Sequence, residues 1–285
     1  MAVQLIQSTD SGAPVLGGSA GQLIAVLDYA LPLLGFVKAF SGTNLAAYKS
    51  GDASLTNPAY LQVNDTTTRQ ATVTMYESMT AISTGTNGTT PAYWWKNNQT
   101  DQSNLGGWVI VGDSLGFYLF VQSGSATAWN NLAFFGYILP AKTSDLYHCA
   151  LMAGASGSET TLTVLTNGDS QNCYLCRSYS QTGTAVGMRR FSHGVNYQYG
   201  IGQGIIPYPN ATDNALVFAD IDVFEGTTRR GRLPGLYSPL HTYSSLTNGT
   251  IYTGIASLAG ESVMVRECGS SGANRALVQI TGSWR

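Results

Sequence analysis

Charge is what this 285-residue chain has least of. Only 11 % of its residues are Asp, Glu, Lys or Arg, less than half of the roughly 25 % usual for a soluble protein. That scarcity excludes a self-repelling disordered segment. It also excludes a coiled coil or helical bundle, which needs Glu, Lys, Ala and Leu in quantity. The formal net charge of −2 supplies no bulk basic field for a nucleic acid, so no such partner is expected. Cysteine is scarce as well: Cys149, Cys173, Cys176 and Cys268 are too few for a disulfide scaffold. No basic stretch follows Met1, so no secretion signal is recognised. The most apolar stretch, 23–37, is broken by Asp28 and Pro32 and falls short of the ~20 residues that span a bilayer. The expectation is therefore no membrane insertion, and a product that stays in the cytoplasm where it is made or leaves inside something larger. Nucleotide-loop, H-E-x-x-H and G-x-G-x-x-G motifs are missing too; Gly200-Ile201-Gly202-Gln203-Gly204 has the wrong spacing. Neither a catalytic residue nor a cofactor nor a metal is assigned.

In place of charge the chain carries 33 Gly and abundant Ser, Thr, Asn and Gln, beside an ordinary 44 % of hydrophobic residues. Five Asn-x-Ser/Thr sequons, at Asn64, Asn87, Asn98, Asn210 and Asn248, follow from that composition and say nothing about glycosylation. One helix is expected over 19–31, with Ser19 as its N-cap, Leu23, Ile24, Leu27 and Leu31 on one face, and Pro32 and Gly35 closing it. From residue 58 onward, short apolar runs alternate with Gly/Ser/Thr/Asn clusters. They predict strands over 60–64, 69–76, 108–111, 116–122, 132–139, 148–153, 160–165, 173–179, 216–224, 262–268 and 275–281. Asn-Gly at 87–88, 167–168 and 248–249 reads as type I′ hairpin turns. The expected fold is mainly β: an antiparallel β-sandwich, jelly-roll-like, with one N-terminal helix. The expected organisation is an N-terminal segment 1–57 and a β region 58–285, with a subdivision, if any, at the Gly-rich 153–158.

Several constellations bear on function. Gly17-Gly18-Ser19-Ala20-Gly21 has the spacing of a nucleophile elbow, but a helix cap accounts for Ser19 more simply. Cys173-x-x-Cys176, with His148, Cys149 and His193 elsewhere, lacks the second pair a zinc site would need. On a strand its two thiols would point to opposite faces, as packed apolar groups. Asp220, Asp222 and Glu225 cluster on one strand, either as a solvated outer face or as an acid pair for cation binding or glycoside hydrolysis. Arg229, Arg230 and Arg232 follow at once, with Arg189-Arg190 a smaller run. They would contact a subunit or a phosphate, or pair with those carboxylates. The chain uses ten Arg against four Lys, and Arg is the cation favoured at interfaces. Tyr93-Trp94-Trp95-Lys96 reads as an aromatic run in a loop, and consecutive tryptophans cannot both face inward on one strand. One of them is expected on an interface or stacked on a sugar.

Four blocks carry a resemblance: Lys38-Ala39-Phe40-Ser41-Gly42-Thr43-Asn44-Leu45-Ala46-Ala47-Tyr48-Lys49-Ser50, Tyr76-Glu77-Ser78-Met79, Gly116-Phe117-Tyr118-Leu119 and Gly231-Arg232-Leu233-Pro234-Gly235-Leu236-Tyr237. Across them the chain resembles structural proteins of tailed-phage and prophage virions. The resemblance implies a particle component with no catalytic residues to carry over. The expected partners are other virion proteins and copies of the same chain. A tail or tail-tip position is favoured over capsid decoration. The alternative is a module that reads a host surface glycan.

Overall fold

The computed structural model describes residues 2–96, 107–122, 129–153, 173–181, 183, 185–187, 189–192, 216–241, 245–270 and 275–285. The fold is mainly β, 53 % strand, with several antiparallel sheets and one N-terminal helix. The strand expected at 160–165, the Asn-Gly at 167–168, His193, the elements of 200–204 and all of 153–158 except Ala153 lie outside the described residues.

The central sheet runs Gln4–Gln7, Trp108–Asp113, Gly116–Gln122, Trp129–Tyr137, Cys149–Met152, Cys173–Leu175, Val186–Gly187, with Gly269–Ser270 paired to the fourth strand. Its strands are almost continuously apolar because both faces are covered. Phe117, Leu119, Val121, Phe135, Tyr137 and Leu151 point into one core. Their neighbours Tyr118, Phe120, Phe134, Ala150 and Met152 point into a second. The first core is closed by the helix and by the N-terminal sheet, Phe36–Gly42, Leu45–Ser50, Tyr60–Asn64, Gln70–Tyr76, Ala92–Trp95. The second is closed by the C-terminal sheet, Arg189–Ser192, Phe218–Glu225, Thr228–Pro239, Arg275–Gln279, Glu261–Glu267, Ile251–Ile255. These two cores separate three layers, and a third, smaller core of Leu246, Ile255, Val263, Val265 and Leu277 includes side chains from the other face of the C-terminal sheet. Leu45–Ser50 and Tyr60–Asn64 pair directly across residues 57 and 58.

The helix, α1, is shorter than expected, Gln22–Ala30, and Ser19 does not cap it. Gly21 takes the cap position at φ 80°. The acceptor arrives from elsewhere: Asp65 Oδ2 takes the amides of Leu23 and Ile24 at 2.8 and 3.3 Å. Gln22 Oε1 accepts from the amides of Gly17 and Ser19. Pro32 opens a 3₁₀ turn, Pro32–Leu34, which Gly35 closes at φ 88°.

The Asn-Gly readings also shift. Asn87 does have a positive φ, but the hairpin between Ser78–Ala81 and Thr84–Thr86 turns at Ile82 and Ser83. Gly249 has φ 84° in a turn leading into the Ile251–Ile255 strand, closed by Thr250 N donating to Thr247 O. The strand expected over 216–224 is Phe218–Glu225. The twelve-residue strand Thr228–Pro239 was not expected at all. It tolerates its glycines because other parts of the chain press on it: Gly235 sits at φ 63°, where a Cβ would fall on the Trp284 indole.

Candidate functional site

The acidic and arginine segments form one hairpin, Phe218–Glu225 and Thr228–Pro239, turning at Gly226 and Thr227. Bulges between Asp220 and Asp222 and between Val223 and Phe224 re-aim the side chains. Arg232 bonds Asp220 at 2.6 Å. Arg229 places Nε and Nη2 on Asp222 Oδ1 at 2.9 and 2.7 Å. The outer face is therefore not simply solvated, because Asp222 is buried beneath the Arg229 side chain.

Arg230 turns the other way and is buried, so it is not a surface contact. It reaches Asp145 Oδ2 through Nε at 3.0 Å and Nη2 at 2.8 Å, Glu225 Oε2 at 2.5 Å and the Arg177 carbonyl at 2.8 Å. Arg177 forks onto Glu77 at 2.7 and 2.5 Å and lies 4.2 Å over the Tyr147 ring. The Arg177 guanidinium holds the Glu77 carboxyl below the usual carboxylate range, helped by the Asn87 amide. This network joins a residue beside the N-terminal sheet, loops of the central sheet and the C-terminal hairpin. Asp145, Arg177 and Glu77 were not singled out from sequence. Their signal was being charged at all in a chain so short of charge, and Glu77 also stood in one of the resemblance blocks.

Beside the hairpin lies an open polar cleft of about 400 Å³, lined by Phe218, Ala219, Asp220, Arg232, Tyr237, Ser257 and Leu258. The Phe218 and Tyr237 rings stand 4.9 Å apart at 53°. Tyr237 O–H donates to Gln279 Oε1 at 3.1 Å, and burial pushes its pKa up to about 12. Arg232 and Asp220 are 45 % and 38 % exposed, so both remain open to a ligand or a neighbour. The cleft offers a carboxylate acceptor, a guanidinium donor and two rings. That combination suits a polyhydroxyl compound better than an apolar one.

The tryptophan expectation is overturned. The run is not a loop but the strand Ala92–Trp95, paired with Gln70–Tyr76; Trp94 and Trp95 face opposite ways, but both are buried, at 1 % and 5 % exposure. Trp94 enters the first core, meets Phe117 edge-on and donates from Nε1 to Met152 O at 3.0 Å. Trp95 is covered on the far face. Its Nε1 has no partner, and neither has Oε1 of Gln70 directly opposite it. The adjoining cavity, shared with Tyr93 and Leu132, is about 10 Å³, room for at most one water. Neither tryptophan presents a ring for stacking on sugar; Tyr93 is half-buried.

Cys173 and Cys176 lie in different cores, as opposite-facing positions require. All four cysteines are buried and unpaired, and burial pushes the Cys176 and Cys268 thiols up to about 12. Among the described residues, no three His, Cys, Asp or Glu side chains converge as metal ligands. The three carboxylates of the hairpin share no substrate space. Asp220 opens on the cleft, Asp222 lies under Arg229, and Glu225 is turned to Arg230. No protein-family model matches the chain, and no curated protein is significantly similar to it.

Proposed function

We propose that this chain is a non-enzymatic structural component of a tailed-phage virion, placed at the tail or tail tip and assembled with copies of itself and with other virion proteins. The observation that carries the reading is how the few charges are used. Among the described residues, the Lys38, Lys96, Arg177, Arg229, Arg230, Arg232, Arg275 and Arg285 side chains are held by carboxylates of the same molecule. The exposed positions among the described residues are then largely neutral, Ser, Thr, Gly and Ala foremost. Such a surface can be buried against a neighbour without stranding a charge. The four resemblance blocks point the same way. Electron microscopy of purified particles, with the protein tagged, tests the proposal. Density on the tail is the expected result. Density on capsid faces would overturn the tail placement, and absence from particles would overturn the structural role.

The cleft at Asp220, Arg232 and Tyr237 favours a second reading, recognition of a host surface glycan. A polysaccharide-binding screen should then show binding that is lost in Asp220→Ala and Arg232→Ala. Binding equal to wild type in both variants would remove the cleft from the account.

A further inference from the structure

Three cations among the described residues are buried: Lys96, Arg230 and Arg266. Lys96 has a carboxylate at 2.5 Å and Arg230 has one at 2.8 Å. Arg266 has none. It belongs to Glu261–Glu267, opposite Ala276. Met264 and Cys268, two positions to either side, both face the core between the central and C-terminal sheets. By strand alternation Arg266 faces that core too. Its guanidinium carbon lies 5.4 Å from the centre of the Phe120 ring, on the central sheet. Its Nε is buried and bonded to nothing. The nearest acidic side chain in sequence, Glu267, is committed to Arg275 at 3.5 Å. Burial lowers the Arg266 pKa, but a guanidinium does not surrender its proton in a protein, so the charge stays. Taking it out of water costs more than one ring contact returns. In a chain that otherwise gives its buried cations a carboxylate, this position is unfinished.

We propose that Arg266 anchors an oxyanion site: a carboxylate or phosphate group seats at this end of the core and takes paired hydrogen bonds from Nε and an Nη of the guanidinium. The fork of an arginine matches two oxygens of such a group side by side, and a nearby ring face holds the guanidinium plane in place. The group comes either from a free anion or from a side chain of a second copy of this chain. The proposal does not depend on the virion reading.

Two measurements decide it. The first is the melting temperature of wild type, Arg266→Met and Arg266→Lys in sodium phosphate and sodium acetate, against sodium chloride at equal ionic strength. Phosphate stabilises proteins in general by exclusion from their surface, so the difference between variants is what counts. The expected result is an additional rise of about 2–4 °C in wild type that is absent from Arg266→Met and smaller in Arg266→Lys, which keeps the charge but loses the fork. Arg266→Met should melt no lower than wild type in chloride, since it removes an uncompensated charge. The second is sedimentation velocity over a concentration series in chloride. Self-association that Arg266→Met or Arg266→Lys abolishes identifies a second copy as the source. Anion responses equal in wild type and Arg266→Lys, together with self-association that Arg266→Lys leaves unchanged, would overturn the proposal even if Arg266→Met does not fold. So would a wild type that neither responds to the anions nor associates through Arg266.

Discussion

His148 is a single imidazole on which three influences agree. Burial holds its pKa below the ordinary 6.5, and the Arg285 and Arg230 charges push the same way, against the hydrogen bond to the Asp145 carbonyl and the Asp145 charge, which raise it but do not prevail. Its Nδ1–H donates to the Asp145 carbonyl at 2.6 Å, and its ring meets Tyr137 edge-on. A histidine with a depressed folded-state pKa adds stability that is complete above its unfolded pKa and is lost as pH falls below it. Melting temperature should therefore decline from pH 7 towards pH 5, and His148→Gln should flatten that slope; an unchanged slope would rule His148 out as its source. Asp145 gives a second test at this scale. Asp145→Ala leaves Arg230 buried with Glu225 as its one remaining carboxylate. It should cost about 3–5 kcal/mol in a denaturant titration, whereas the double variant Asp145→Ala/Arg230→Met, which removes both partners, should cost clearly less. None of this could be read from the sequence. The local pairing of the arginine run with Asp220, Asp222 and Glu225 was among the readings open there, but the decisive partner of Arg230 lies 85 residues away.

Helix α1 shows how an element depends on residues outside itself. Its position was legible from the spacing of Leu23, Ile24 and Leu27; its start was not, because the capping carboxylate is Asp65. That carboxylate also receives Lys96 Nζ at 2.5 Å, and the same ammonium donates to the Ser19 and Thr67 carbonyls at 2.8 Å each. One buried ion pair thus ties the helix to two strand ends of the N-terminal sheet. Burial raises the Asp65 pKa and lowers that of Lys96, so each needs the other to stay charged. Asp65→Ala strands Lys96 and frees two helix amides. It should destabilise by about 3–5 kcal/mol, with the loss of helix protection read by hydrogen exchange at Leu23 and Ile24. If those two amides kept wild-type protection, the cap would not be Asp65. The strands divide in the same manner. The apolar run Gly116–Gln122 and the alternating Tyr60–Asn64 were legible to the residue. Thr228–Pro239 was not, since its arginines, glycines and prolines look like a loop until distant carboxylates and the Trp284 ring are in place. For Trp94 and Trp95, alternation correctly put the two rings on opposite faces. What it could not convey is that both faces of that strand are covered.

At the scale of the whole molecule, the layers packed on both faces of the central sheet explain why its strands are almost continuously apolar. The ionic network from Glu77 through Arg177 to Arg230, Asp145 and Glu225 fastens the layers to one another, and it does so with charges that the surface then lacks. Raising salt from 0.1 to 1 M should accordingly change the melting temperature little through these buried pairs, which are weakly screened. The half-exposed Arg232–Asp220 and Lys38–Asp28 pairs carry only a few tenths of a kcal/mol to lose. A salt-induced loss much larger than that would mean the network is wetter than its burial indicates.

The first strand, Gln4–Gln7, has as its ladder partner Trp108–Asp113, in register from Gln4 with Gly112 to Gln7 with Val109. Roughly a hundred residues are synthesised before that edge can close. Until then Gln4–Gln7 has no partner strand to dock on, and the core behind it stays open to water. Pairings across such distances make refolding slow, on the order of milliseconds to seconds. The burial of Trp108, whose indole N–H ends on the Pro14 carbonyl at 2.8 Å, should be among the late events seen by stopped-flow fluorescence.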